Sequence, residues 1–323
     1  MILLPKELEK TLPKLYETEN IKIDNKILHI RYISIYSNWE WYLIEYNSDT
    51  KIAFGYVKGF ENAFEQRWID LYPSEYKESG AYTSGVKKVH PYIVMNYINN
   101  YDSVSTLIHE FGHLMNYYYS SKKVKGTNWT PQDFIAEVPS TMNETLLIRQ
   151  LKDNSKDSLE RLKWLKYEIE NINNTYFLQT MMAEFQQKIH DENLNGNIMT
   201  ADELNKLYGS LYIKYFGESV KEYFVDEKSN EWSQISHFYQ GFYVYKYATS
   251  LALAYDVSDK ILEDKNNEYR DKYLEYLSFG STRNPYDAMA FIDIDLNNTK
   301  WLDNFMEYYK GLVEEYQELL NDL

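Results

Sequence analysis

The sequence predicts a mainly α fold with a small antiparallel β meander near its N-terminus, and three observations carry that prediction. From about residue 98 onward, apolar residues recur at three- and four-residue spacing, the period of an amphipathic helix. Over residues 26–58 they instead roughly alternate with polar ones, and β-branched and aromatic types dominate, which is the period of a half-buried strand. No uninterrupted apolar run approaches the ~20 residues that a membrane span needs, so the chain reads as a soluble globular protein with no membrane partner.

Taken in order, a short helix is expected over residues 5–16. The run KILHIRYISIYSNWEWYLIEYNSDTKIAFGYVK (26–58) is punctuated by Ser37-Asn38 and by Asn47-Ser48-Asp49, which divides it into three strands. Three strands bury little surface alone, so this piece needs the helical body or another chain to pack on. A soft boundary near residues 60–67 splits the chain into a small α+β unit, 1–65, and a helical unit, 66–323. The segment PYIVMNY (91–97) reads as one strand leading into the first long helix. Helices are then expected over 104–120, 134–153, 158–172, 175–193 and 301–320.

Charge and composition exclude several functions. A net charge of −15 repels phosphate backbones, so a nucleic-acid partner is not expected. The basic cluster Lys122-Lys123-Val124-Lys125 reads as a solvated loop. With no cysteine, disulfides and thiolate metal sites are out of reach, and any metal must use histidine and carboxylate. The start MILLPKELEK places charges straight after a very short apolar stretch, unlike a secretory leader, and the expected location is cytoplasmic. Most of the 33 tyrosines read as interhelical packing.

The segment His109-Glu110-Phe111-Gly112-His113 is an HExxH pattern inside a helical period. Positions 109 and 113 present two imidazoles from successive turns of one face, which suits two corners of a tetrahedral zinc site. Glu110 is rotated around the helix, where it can act on a water without ligating the metal. Val104, Leu107, Ile108, Leu114 and Met115 flank the motif, so the histidines sit where the helix is buried. A third ligand of the extended HExxHxxGxxH type would need Gly at 116 and His at 119, but Asn116 and Tyr119 stand there. The alternative is a glutamate on a later helix: Glu137 follows His113 by 24 residues. Glu144, seven residues further, shares its face and is placed either to accept a ring N–H from a ligating histidine or to form a surface salt bridge.

Several motifs, in order, resemble the oligopeptidase F branch of the thimet-oligopeptidase family of zinc metallopeptidases. They are SGAYTSGVKKVHPYIVMNY (79–97), HEFGHLMNYYYS (109–120), FIAEVPSTMNETLL (134–147), HFYQGFYVYKYATSLALA (237–254) and YLEYLSFGSTRNPYDAMAF (273–291). The resemblance covers about residues 66–323 and implies a helical gluzincin-type catalytic half of an oligopeptidase. It implies one Zn²⁺ per chain, with His109, His113 and Glu137 as ligands, Glu110 as general base and short or unfolded peptides as substrates. It further implies that His237 and the tyrosines of the 243–247 stretch face the reaction, Tyr245 by alignment and Tyr243 next, with one or two donating to the oxyanion. On a helix, positions 243 and 247 share a face while 245 points elsewhere, so not all three reach the metal. The Gly80-Ala81-Tyr82 run and His90 match an edge strand beside the cleft, where a peptide adds through main-chain hydrogen bonds. His90 also reads as a satisfied structural histidine, and His29 and His190 read as incidental.

The chain departs from the family in length. Family members are about twice as long, and their N-terminal half forms a wall over the cleft. Here residues 1–65 instead resemble a small mobile-element domain, carried by LLPKELEKTLPKLYETENI (3–21), SNWEWYLIEY (37–46) and FGYVKGFE (54–61). A second copy of the chain or a separately encoded half would restore the wall; without it, lower activity or looser size selection is expected. Two other functions compete: a catalytically weak peptide-binding protein that keeps the metal site, and a mobile-element interaction module.

Overall fold

The structure is a computed structural model. It describes residues 67–322 apart from 79 and 224–229, and before them only 10–14, 17, 18, 20, 21, 25–27, 30–33, 40–46, 53–58, 63 and 64. The helix expected over 5–16 and His29 fall mainly outside the described residues. The three-stranded meander is present: β1 (Ile30–Ile33), β2 (Glu40–Tyr46) and β3 (Ala53–Lys58) pair antiparallel in the order β1-β2-β3. The register between β2 and β3 shifts at Leu43 and Glu45, an irregularity of the β-bulge kind.

The strand expected at 91–97 is β6 (Tyr92–Met95), and it does not stand alone. It lies between β4 (Ile69–Asp70), paired parallel, and β5 (Ala81–Ser84), paired antiparallel, so β5 is an edge. Ile93 and Met95 point inward and are fully buried, and this sheet packs on the first long helix. Apolar alternation over two to four residues is too short a signal to read from sequence, which is why β4 escaped it.

Helix α1 (Tyr101–Lys123) begins where the Asn100 side chain accepts from Ser103 N–H at 2.8 Å. Asp102 in its first turn and Lys122 and Lys123 in its last complement the helix dipole. After a single 3₁₀ turn (Asp133–Ile135), α2 (Val138–Asp153) starts with Pro139 in its first turn, where a missing N–H costs nothing. Helix α3 (Ser158–Ile172), capped by Asp157, runs through a π-helical turn (Asn173–Phe177) into α4 (Leu178–Leu194). Helix α5 (Ala201–Phe216) carries a capping box of Thr200 and Glu203. Then come α6 (Tyr245–Glu263), α7 (Glu268–Tyr276), α8 (Pro285–Phe291) and α9 (Lys300–Asn321).

Helix α6 is the hub. Ala248, Leu251, Ala252, Leu253, Ala254, Tyr255, Val257 and Ile261 are all buried, against α2, α4 and α9. A buried polar node ties four helices together: Glu168 of α3 accepts from Tyr255 Oη of α6 at 2.9 Å and from Tyr308 Oη of α9 at 2.7 Å, and pairs with Lys152 of α2. Such a carboxylate tolerates burial because its oxygens are met by donors and a cation. Among the described residues no helix is long and apolar enough to cross a membrane.

Candidate metal centre

His109 and His113 lie one turn apart on α1, their rings 4.9 Å apart and nearly perpendicular. Glu137 occupies the cap position at the start of α2 and is 3% exposed. What brings the two helices together is Gly112. A Cβ there would lie 2.3 Å from the Pro139 carbonyl oxygen and 2.5 Å from Ser140 Cα, so only glycine permits this approach. Gly112→Ala is therefore expected to push α2 away, costing about 1–3 kcal/mol of stability. Thermal unfolding and metal analysis measure both effects, and wild-type values in both would show the crossing is not tight.

The geometry fits a metal ion. His109 Nε2 and His113 Nε2 stand 3.3 and 3.1 Å from the same oxygen, Glu137 Oε2. Two ligands each ~2.0–2.1 Å from a tetrahedral zinc are separated by about 3.3 Å. Ligand atoms of these three residues lie within 4.8 Å of one another, and no other group of three or more histidines and carboxylates among the described residues does so. Their chemistry, two imidazoles and a carboxylate, is the set that zinc hydrolases use when a fourth position stays open.

The surroundings hold the ligands in place. Glu144 Oε1 lies 2.5 Å from His109 Nδ1, so the ring presents Nε2 to the metal point. Glu144 also accepts from Ser105 Oγ at 3.3 Å. Ser140 Oγ donates to Glu137 Oε2 at 2.9 Å, and Tyr243 Oη donates to Glu137 Oε1 at 3.0 Å. Burial alone would raise the Glu137 carboxyl, but hydrogen bonds and charge from His109 and His113 outweigh it and hold it well below the usual carboxylate range. Burial likewise opposes an imidazolium at His109, yet Glu144 and Glu137, one at each ring nitrogen, raise it well above its ordinary value. Glu144→Gln should weaken metal binding about 10–100-fold; competition with a chromophoric chelator reads this, and an unchanged affinity would remove Glu144 from the site.

Glu110 is 5% exposed and turned towards β5, where Thr83 Oγ1 donates to its Oε2 at 2.6 Å and to its backbone carbonyl at 3.0 Å. Glu110 is not one of the three residues whose ligand atoms all lie within 4.8 Å of one another, so it stands outside the ligand set. Near Glu137 stand His237, Tyr243 and Tyr247. His237 stacks on Tyr243 at 5.1 Å, Tyr243 and Tyr247 meet edge to face at 5.6 Å, and Tyr247 Oη lies 3.4 Å from His237 Nε2. Burial lowers the His237 pKa against the pull of Glu137, so a neutral ring is favoured. Burial first, then the Glu137 charge, raises both phenols, so Tyr243 and Tyr247 stay protonated donors.

The structure thus brings together His109, His113, Glu137, Glu110, His237, Tyr243 and Tyr247. Tyr245 points away, its ring 6.1 Å from Phe134. His90 stacks on Trp68 at 4.6 Å with Nδ1 3.1 Å from the Pro91 carbonyl, and His190 packs on Phe242 at 4.6 Å. Sequence reasoning missed three contributors. Ser140 lies one helical turn beyond Glu137, a spacing that could have flagged it. Thr83 carries no local signal because Glu110 is 27 residues away, and Lys246 sits with its buried ammonium 4.3 Å over the Tyr243 ring and 3.5 Å from the distant Asp133.

A helical body whose HExxH helix meets a glutamate from the next helix defines the class of metal-dependent hydrolases with a two-histidine, one-glutamate centre. Residues 17–308 match the profile of peptidase family M3, and the chain belongs to that family. It is 35% identical over 314 residues to the oligoendopeptidase F homolog of Lactococcus lactis subsp. lactis (strain IL1403), covering 93% of this chain and 52% of that protein. It is 36% identical over 266 residues to oligopeptidase PepF of Bacillus subtilis (strain 168), covering 82% and 39%. Among solved structures, oligoendopeptidase-F from Enterococcus faecium superposes with a TM-score of 0.58 at 31% identity, covering 69% of this chain and 40% of that one. The chain therefore spans about half the length of the curated relatives it matches.

Proposed function

We propose that the chain is a zinc-dependent endopeptidase that hydrolyses short or unfolded peptides. The observation that carries this reading is the convergence of two imidazole nitrogens on one Glu137 oxygen, at 3.3 and 3.1 Å, with Glu110 beside them and outside the ligand set. His109, His113 and Glu137 would hold one zinc ion. Bound there, zinc polarises a scissile carbonyl and makes water acidic enough to deprotonate near neutral pH.

The chain's own groups do the rest. Glu110, braced by Thr83, takes the proton from the attacking water and returns it to the leaving amine. Tyr243, Tyr247 and His237 form a donor cluster for the oxyanion. Tyr243 is bonded to Glu137 Oε1 here, so Tyr247, one helical turn on, is the phenol with its donor less committed. Glu144 keeps the His109 tautomer fixed. The β5 edge, adjoining α1 through Thr83, offers main-chain groups to an extended peptide.

The division at residues 65/66 is part of this reading. It is supported by the second sheet, which starts at Ile69 and packs with the helices, and it describes architecture, since the family match begins at residue 17 and crosses it. A partner half or second copy covering the cleft, and a cytoplasmic location suited to a cysteine-free chain, belong to the same proposal. The test is to titrate the purified chain with zinc while following a quenched fluorescent heptapeptide. Cleavage should rise to a plateau at one zinc per chain; no cleavage at any loading would refute the reading.

A further inference from the structure

We propose that the cavity adjoining the His109–Glu110 turn is a substrate subsite that selects a lysine or arginine side chain of the bound peptide. This deepens the peptidase reading and rests on it. The cavity, about 540 Å³, opens between the first turns of α1, the middle of α2 and the end of α3, and His109 and Glu110 form part of its wall. A side chain lying in it thus belongs to a residue close to the bond being cut. The volume falls within the ~300–1,000 Å³ range of ligand sites.

The lining is one-signed. Asp102, Glu110, Glu144, Glu168 and Glu170 are its charged residues besides His109, and among the described residues no lysine or arginine lines it. Three of these carboxylates have duties: Glu110 is held by Thr83, Glu144 by His109 and Glu168 by Lys152. Asp102 and Glu170 are left at the rim. Among the described residues Asp102 meets a distant Asn100 amide at 3.5 Å, and Glu170 faces Lys166 at 3.7 Å, a separation at which an exposed pair binds weakly. A concave wall of like charge focuses its field on the ion that enters. Tyr101 registers that field: burial and then the Glu144 charge push its phenol up to about 12.

The wall also suits the stem of a long cationic side chain. The Tyr101 and Tyr167 rings, 4.8 Å apart, offer apolar faces to methylenes and π-faces to a guanidinium or ammonium. Lys163, over Trp164 at 4.4 Å and at 6.0 Å from the Tyr167 centroid, is not among the lining residues, so the Tyr101 ring is the less occupied of the two. Asn171 and Asn174 close the cavity where α3 passes into its π-helical turn, an irregularity that concentrates at functional sites. The uncommitted carboxylates, aromatic faces and amides thus surround one opening beside the reacting pair.

The test uses the zinc-loaded full chain and alanine-based quenched heptapeptides with lysine or glutamate placed at each position in turn. At one position lysine should be cleaved about tenfold faster than glutamate in kcat/KM. In D102N/E170Q that ratio should fall towards one, while the all-alanine peptide is cleaved at the wild-type rate. Lack of any preferred position, or a preference that survives in D102N/E170Q, overturns the proposal. Anisotropy with the same peptides on zinc-loaded Glu110→Gln, with and without D102N/E170Q, reads selection without turnover. Should no peptide be cleaved, the peptidase reading fails, and these binding ratios alone decide for or against the cationic subsite.

Discussion

Glu110→Gln is expected to keep its zinc and lower peptide turnover by about 10²–10⁴-fold, the share a positioned general base contributes. The substitution changes one oxygen for an amide nitrogen, so the contact with Thr83 Oγ1 at 2.6 Å persists and the turn of α1 keeps its shape. The carboxylate makes no ligand contact with the metal point, which lies between His109, His113 and Glu137, so metal content should match wild type. What is lost is the ability to accept a proton and pass it to the leaving amine. Zinc analysis, thermal unfolding and peptide turnover on one preparation separate these effects. Peptide cleavage at the wild-type rate in this variant would sink the assignment of Glu110.

Glu137→Ala should act on the metal itself. It removes the one anionic ligand, and zinc affinity should fall roughly a thousandfold, a loss of several kcal/mol from a site of this kind. The reason is visible in the contacts: Oε2 is the single atom facing both Nε2 nitrogens, and without it two imidazoles alone hold the cation. Tyr243 loses its acceptor as well, at about 1–3 kcal/mol for a donor left unpaired, while Ser140 keeps the Glu137 backbone carbonyl at 2.9 Å. Glu137→Gln keeps the shape and removes only the charge, so it isolates the ligand effect. Stoichiometric, tight zinc in both variants would show that the third ligand lies elsewhere.

Much of the fold was legible in the sequence because it is written in local periodicity. The helix expected over 158–172 matches α3, and those expected over 104–120 and 301–320 are each shorter than α1 and α9 by one to three residues at each end. Ends are where capping side chains, such as Asn100 before α1, extend a helix beyond its apolar stripe. The expected helix over 134–153 divides at Glu137 into a 3₁₀ turn and α2, and it is this break that puts the carboxylate at a helix start facing α1. The π-helical turn at 173–177 was invisible for a related reason: a single wider turn between two helices is too short to set a period of its own.

The candidate site divides in the same way. Two histidines four residues apart lie on one face of any helix, so the placement of His109, Glu110 and His113 comes from backbone geometry alone. Where Tyr243, Tyr245 and Tyr247 lie relative to Glu137 required coordinates, because it depends on how the start of α6 is rotated against α2. The structure turns Tyr243 to Glu137 and Tyr245 to Phe134.

By itself, then, the sequence determined the helical texture, the paired imidazoles with their neighbouring acid, and the strongly negative charge, since each depends on residues close together in the chain. Tertiary structure alone decided that Glu137 reaches those imidazoles across 24 residues, that Thr83 braces Glu110, and that five carboxylates line one cavity. Such meetings depend on how closely two helices approach. Here that approach is set by the missing side chain at Gly112, whose effect appears only when α2 lies against it.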